Sequence, residues 1–222
     1  MRTRLLPAII VVAAALCAQS PATGPMQFTA TTANVAAAPE PVRFEIIRWS
    51  SDAEREALLA AWQGRPAGGA GAEKGAGKAA AKGKANGRGA APAEAPAPVT
   101  PEAALARALE SAPTVGYVWS SETAGYALRY AGRFANADGS QRIILVTQRR
   151  LGAMNQRWNL SAGTPNKYEF SVIELRLNAK GEGEGKASLS GNLAADASVK
   201  AVALDAYVSQ PVVFRDVKPA KN

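Results

Sequence analysis

The run from Tyr168 to Leu177, Tyr-Glu-Phe-Ser-Val-Ile-Glu-Leu-Arg-Leu, narrows most what this chain can fold into. Aromatic and β-branched residues recur, and neither Pro nor Gly interrupts them, so the run reads as a strand. Side chains alternate across a strand. One face then carries Tyr168, Phe170, Val172, Glu174 and Arg176, and the other carries Glu169, Ser171, Ile173, Leu175 and Leu177. Both faces are apolar in the middle. A strand of this kind reads as a central one, covered on both sides. Asn178-Ala179-Lys180-Gly181 supplies a turn. The chain returns through Gly181–Lys186, with Glu182, Glu184 and Lys186 on one face and glycines on the other. Glycines at such positions mark a bulge or a close approach of backbone.

Other segments read the same way. Gln27–Val35 is a Thr-rich first strand, followed by a loop with two prolines over Ala36–Pro41. Val42–Ser50 alternates Val42, Phe44 and Ile46 against Arg43, Glu45, Ile47 and Trp49. Ser50 or Ser51 caps a helix with acids in its first turns and an apolar stripe of Leu58, Leu59 and Trp62, ended by Gly64. Thr100-Pro101-Glu102 opens a second helix, with Leu105 and Leu109 on one face and Ser111-Ala112-Pro113 as its stop. Further strands are expected at Val115–Ser120, Gly125–Phe134, Arg142–Thr147, Val199–Tyr207 and Val212–Val217. Asp138-Gly139 serves as a hairpin turn, and Ala194–Ser198 as another. Within Gly125–Phe134, alternation puts Tyr126, Leu128, Tyr130 and Phe134 on one face and Arg129 and Arg133 on the other. The expected fold is α+β and mainly β: an antiparallel sheet, sandwich or barrel of about eight or nine strands with two helices.

Two stretches stand apart. Met1–Arg4 is basic and Leu5–Ala18 is apolar, the layout of a signal peptide ending at Ala18 or as late as Ala22, so the product is expected to be exported to the periplasm or beyond. Cys17 is the only cysteine. Leu16 before it is not the small residue that a lipid-bearing cysteine usually follows, so no lipid anchor is expected. Of the 35 residues in Gly64–Pro98, 22 are Gly or Ala and four are Pro, with six Lys or Arg against two Glu. Lacking large apolar residues, this insert is expected to be disordered. The parts on either side, 26–63 and 99–218, are expected to form one domain, because a long surface insertion adds little to the cost of closing a loop.

The net charge of +8 resides largely in the signal segment and the insert. The insert could draw a polyanion or an envelope surface by counterion release, but no aromatic residue interleaves its lysines, so no specific nucleic-acid partner is expected. The chain has no histidine. That excludes Ser–His–Asp and Cys–His catalysis and imidazole metal sites, leaving carboxylates, Ser–Lys pairs and oxygen-ligand cations. Glu182 and Glu184 lack the Asp/Asn/Gly pattern of calcium loops, and no metal or cofactor is expected.

The pieces FTATTANV, RFEIIRWSSDAEREALL, VGYVWSSETAGYALRYA, RIILVTQRRLG, YEFSVIELRLNAKGEGEGK and LDAYVSQPVVFRDVK resemble a family of exported bacterial proteins with no assigned activity. The resemblance covers most of the chain outside the signal segment and insert. It implies export and a shared β-rich fold, and it carries over no catalytic residue. In those relatives the two helices are joined more closely, so the Ala/Gly/Lys insert is a departure.

The residues thus favour a non-enzymatic exported domain that binds a small ligand or an envelope protein, with Trp49, Trp119, Arg129, Tyr130, Arg149, Arg150 and Trp158 as candidate contact residues. The alternative is a carboxylate-dependent hydrolase or isomerase, with Glu174 as base beside Arg129 or Arg176. In its plainer reading Glu174 is a structural acid paired with one of those arginines.

Overall fold

A computed structural model describes residues 25–65, 99–121, 125–153, 158, 168–189 and 191–220. The expected signal segment and nearly all of the insert lie outside them. Eight strands close into an antiparallel barrel: β1 (Met26–Thr32), β2 (Pro41–Ile46), β3 (Gly116–Trp119), β4 (Tyr126–Ala135), β5 (Gln141–Thr147), β6 (Val172–Leu177), β7 (Gly183–Ala187) and β10 (Phe214–Pro219). Around the barrel the order is β1, β10, β7, β6, β5, β4, β3, β2, and β2 pairs with β1 to close it. Apart from two excursions the chain goes up and down without crossing. The first excursion, between β2 and β3, contains the helices α1 (Asp52–Trp62) and α2 (Pro101–Ser111). The second, between β7 and β10, contains the hairpin β8 (Leu193–Asp196) and β9 (Ala201–Leu204) and a short 3₁₀ turn at Tyr207–Ser209.

The strand sequences explain two apolar layers. Ile143, Leu145, Ile173, Leu175 and Leu177 point inward, where they meet Phe28, Phe44, Ile46, Val118, Leu128, Phe214 and Val217. Phe44 and Phe214 cross edge to face at 5.1 Å, an arrangement the ring quadrupoles favour. Side chains therefore fill the interior, as expected for eight strands. The alternate residues Ile144, Val146 and Val172 point outward, and there Leu58, Leu105 and Leu109 of the helices and Val202 and Leu204 of β9 cover them. β6 is covered on both faces because the barrel lies on one side and the hairpin on the other. On β7, Gly183 lies against the Arg176 carbonyl, and Gly185 leaves room for the Leu175 and Phe214 side chains.

Both helices start where their sequences say. Ser51 caps α1 in a reciprocal box with Glu54, and Thr100 caps α2 with Pro101 at its first position. Gly64 follows the end of α1 at φ +67°.

Three expectations need correction. The first concerns β4, which does not keep one alternation: a bulge shifts its register between Leu128 and Tyr130. Tyr126 and Leu128 face the interior, whereas Tyr130 faces the outer layer and Ala131 the interior. One extra residue in a strand reverses every later side chain. The second concerns the organising run, whose strand begins at Val172 rather than Tyr168. There the Thr147 and Ser188 hydroxyls accept the Ser171 and Val172 amides, and side chains replace a regular ladder. The third concerns Ala194–Ser198: Ala194, Ala195 and Asp196 belong to β8, and the turn lies just beyond them.

Candidate functional site

One end of the barrel gathers the loop after β1, the loop after β5 and the chain after β7. Glu40 sits in the first of these and is fixed through its backbone: its amide donates to Thr32 Oγ1 at 2.8 Å, and its carbonyl accepts from the Thr32 amide at 2.8 Å. Its side chain accepts from Ser121 Oγ at 2.7 Å and from the Trp158 indole N–H at 3.2 Å. Trp158 also bridges to Ala36 through its backbone. A buried carboxylate thus sets the position of a half-buried tryptophan ring.

The described start of the loop after β5 is equally constrained. Thr147 Oγ1 donates to the Arg149 carbonyl, the Leu151 amide donates to Ser171 Oγ, and the Gly152 amide donates to the Tyr126 hydroxyl. Gly152 has φ +75°, and a Cβ there would press on the Trp158 ring at 3.1 Å. A residue without a side chain is required on both counts. Between these anchors lies a cavity of about 370 Å³, lined by Val35, Arg150, Leu151, Gly152, Ala153, Trp158 and Leu189. Its lining is about evenly polar and apolar, and Arg150 is the charged residue among those that line it.

The structure divides the sequence candidates among several places. Arg150 and Trp158 come together at this cavity, and Arg149 lies beside them, exposed. Arg129 donates to Gln148 Oε1, to the Ala112 carbonyl and to Thr114, which ties the end of α2 to the barrel. Tyr130 is only 3 % exposed and packs under α1, where burial raises its phenol pKa. Trp119 donates to Glu45, and Trp49 lies beneath Arg133.

Glu174 occupies a different setting, on the outer wall under the β8–β9 hairpin, where it is wholly buried. Arg142 grips both its oxygens, with Nε 2.8 Å from Oε1 and Nη2 3.0 Å from Oε2. Arg176 Nε lies 3.0 Å from Oε1, and Arg142 Nη1 reaches on to Asp196 at 2.6 Å. Lys186 lies opposite Glu174 on β7. Glu174, Asp196 and Glu184 therefore face Arg142, Arg176 and Lys186, three charges of each sign. Burying an acid requires such pairing, and here the pairing also fastens the hairpin to the barrel. Its partners include Arg176, as the sequence suggested, together with Arg142, which the sequence reading did not single out.

Glu40, Gly152, Val35 and Leu189 were also missed as site residues. Only Glu40 left a trace in the sequence, as an acid held between Pro39 and Pro41.

Two other clefts are present. One of about 490 Å³ runs along α2 beside the stacked rings of Tyr168 and Phe170, with Glu102, Glu110, Glu169 and Arg107 around it. One of about 640 Å³ lies over β1, β7 and β10. Neither combines a positioned tryptophan with a cation. Among the described residues, no group of His, Cys, Asp and Glu is arranged to hold a metal ion, and no helix is long and apolar enough to cross a membrane. No protein-family model, curated protein or solved structure matches the chain.

Proposed function

We propose that this chain is an exported, non-enzymatic binding domain whose ligand sits at the Trp158 end of the barrel. The observation that carries the reading is the Glu40–Trp158 hydrogen bond, which holds an indole ring in place over a cavity of about 370 Å³. Ligand sites are typically concave, largely preformed and mostly apolar, with a few placed polar groups. Rigid aromatic side chains give contact area at small entropic cost. The closely packed barrel interior supports the same choice, because a ligand has to be held at the rim. Export rests on the basic-then-apolar start of the sequence. The fully ion-paired setting of Glu174 supports a structural role for that acid.

A thermal-shift screen of the protein against small metabolites tests the proposal. A ligand at about 100 times its Kd stabilises the fold by about 2.7 kcal/mol. The expected result is a hit whose shift disappears in Leu189→Trp, which fills the cavity, and weakens in Trp158→Phe. A hit untouched by both variants would place the site elsewhere.

A further inference from the structure

We propose a second binding surface on the outer face of β2 and β3, where the rings of Tyr117 and Trp119 stack on successive residues of a neutral, extended, β-linked oligosaccharide. This surface is independent of the Trp158 cavity. The outer layer of helices and hairpin rests on Tyr130, Ile144, Val146 and Val172 of β4 to β6. β3 lies to one side of that layer. Its Val118 points into the barrel, so Tyr117 and Trp119 on either side of it point out, and both are partly exposed.

The indole is held in place. Its N–H donates to Glu45 Oε2 at 3.0 Å. Its six-membered ring covers Gly125, where a Cβ would lie 2.9 Å from two ring carbons and 3.1 Å from an inner third. Such nearly equal distances arise from an approach to the ring face, not to its edge. The ring therefore lies flat over the chain entering β4, with its other face turned away from the barrel. Tyr117 stands beside it, the ring centroids 5.6 Å apart and the planes tilted by 37°. That separation is about one sugar repeat of an extended chain, so consecutive pyranose rings meet consecutive aromatic rings. The C–H groups of a pyranose face suit the negative face of an aromatic ring, and rings already fixed lose little entropy on binding.

The flank of the rings supplies both kinds of hydrogen-bonding group that sugar hydroxyls need. Arg43 pairs across the strands with Trp119 and Glu45 with Tyr117, and on β1 Thr29 and Gln27 continue the two rows. Arg43 is exposed, 5.7 Å from the indole centroid, and brings donors, while Glu45 brings an acceptor. Beside the rings one cation and one anion balance. A polyanion such as a nucleic acid draws its affinity from an excess of Lys and Arg, which these rows lack.

Cellohexaose, maltohexaose and the hexamer of mannuronate separate the parts of the proposal, being extended and neutral, curved and neutral, and extended and anionic. Their Kd values are read by calorimetry on the full chain. Cellohexaose is expected to bind about tenfold more tightly than either of the others, and than glucose, which covers a single ring. Tyr117→Leu and Trp119→Leu keep apolar bulk but lose the flat ring, and each should weaken cellohexaose binding about tenfold. Should the Trp119 variant fail to fold, the Tyr117 variant carries the test. Trp158→Phe should leave the Kd unchanged, which separates this surface from the cavity. Equal or tighter binding of the mannuronate hexamer would overturn the neutral class, and equal or tighter binding of maltohexaose the extended chain. Cellohexaose binding that is absent, or that is untouched by both Leu variants, or that only Trp158→Phe weakens, would overturn the surface itself.

Discussion

Lys186 Nζ donates to the main-chain oxygen of Tyr207 at 3.0 Å and lies 4.5 Å from the centroid of the same residue's ring. It also donates to the Val208 carbonyl at 3.2 Å, while the Arg176 guanidinium covers the ring at 3.7 Å. A buried ammonium thereby holds the short turn that leads from the hairpin back into β10. Lys186→Met preserves most of the volume but strands two carbonyls, and should cost about 1–3 kcal/mol in urea unfolding. Tyr207→Phe should act oppositely. The Tyr207 hydroxyl is buried with no hydrogen-bond partner among the described residues, so its removal is expected to be neutral or slightly stabilising. Tyr207→Leu, which abolishes both cation–ring contacts, should destabilise.

Glu174→Gln removes the shared anion from between Arg142 and Arg176. Breaking a buried ion pair typically costs about 3–5 kcal/mol. The expected outcome is a clear fall in Tm with ligand binding at the Trp158 cavity unchanged. A variant of wild-type stability that lost a turnover would instead favour the carboxylate-enzyme reading.

Acid should loosen the outer layer. Burial works to raise the Asp196 pKa, but hydrogen bonds from Ser198 and Arg142 outweigh it and hold the carboxyl at about 2. Glu54 is held at about 2 chiefly by Arg48, with Ser51 helping against burial. Both lie below their unfolded values, so protons bind the unfolded chain more readily. Their contribution is complete above about pH 5 and disappears as the pH falls toward 2, at about 1 kcal/mol each after solvent screening. The double variant Asp196→Asn, Glu54→Gln should show a flatter fall of Tm between pH 5 and pH 2 than the wild type.

Gly116 on β3 and Gly183 on β7 each lie against a neighbouring strand's carbonyl, of Glu45 and Arg176 respectively. A methyl group at either position collides with backbone, which cannot rotate away. Gly116→Ala and Gly183→Ala are each expected to lose about 2–4 kcal/mol of unfolding free energy. Gly64→Ala makes a useful contrast: no atom lies within 4 Å of its Cβ position, and only its positive φ resists. It should cost about 1 kcal/mol.

The sequence showed most of the elements and little of their arrangement. Period-two alternation located β2 and β6, and an unbroken apolar run located β5, because their neighbours bury them on both faces or cleanly on one. β8 escaped because Leu193-Ala194-Ala195-Asp196 has one large apolar residue, and its pairing comes from β9. The bulge in β4 escaped because Arg129 and Tyr130 individually suit a strand, and only the partner β5 reveals the slip. Sheet, sandwich and barrel share one local pattern. Closure is decided by β1 pairing with β10, across nearly the whole chain. At the site, Trp158 and Arg150 were visible as residue types, whereas Glu40 reaches Trp158 over 118 positions that no spacing rule connects.

The route of the chain through the barrel has a further consequence. A break anywhere between residues 66 and 98 yields a short fragment with β1, β2 and α1 and a long one with everything from α2 to β10. The short fragment is the keystone of the ring, because β2 must find β3 on one side and β1 must find β10 on the other. α1 meanwhile packs against α2 and β9. Neither fragment can complete a cylinder alone, and together they need no covalent link to do so. The fold is thus suited to complementation in trans, with reclosure of the ring as the readout that two tethered molecules have met.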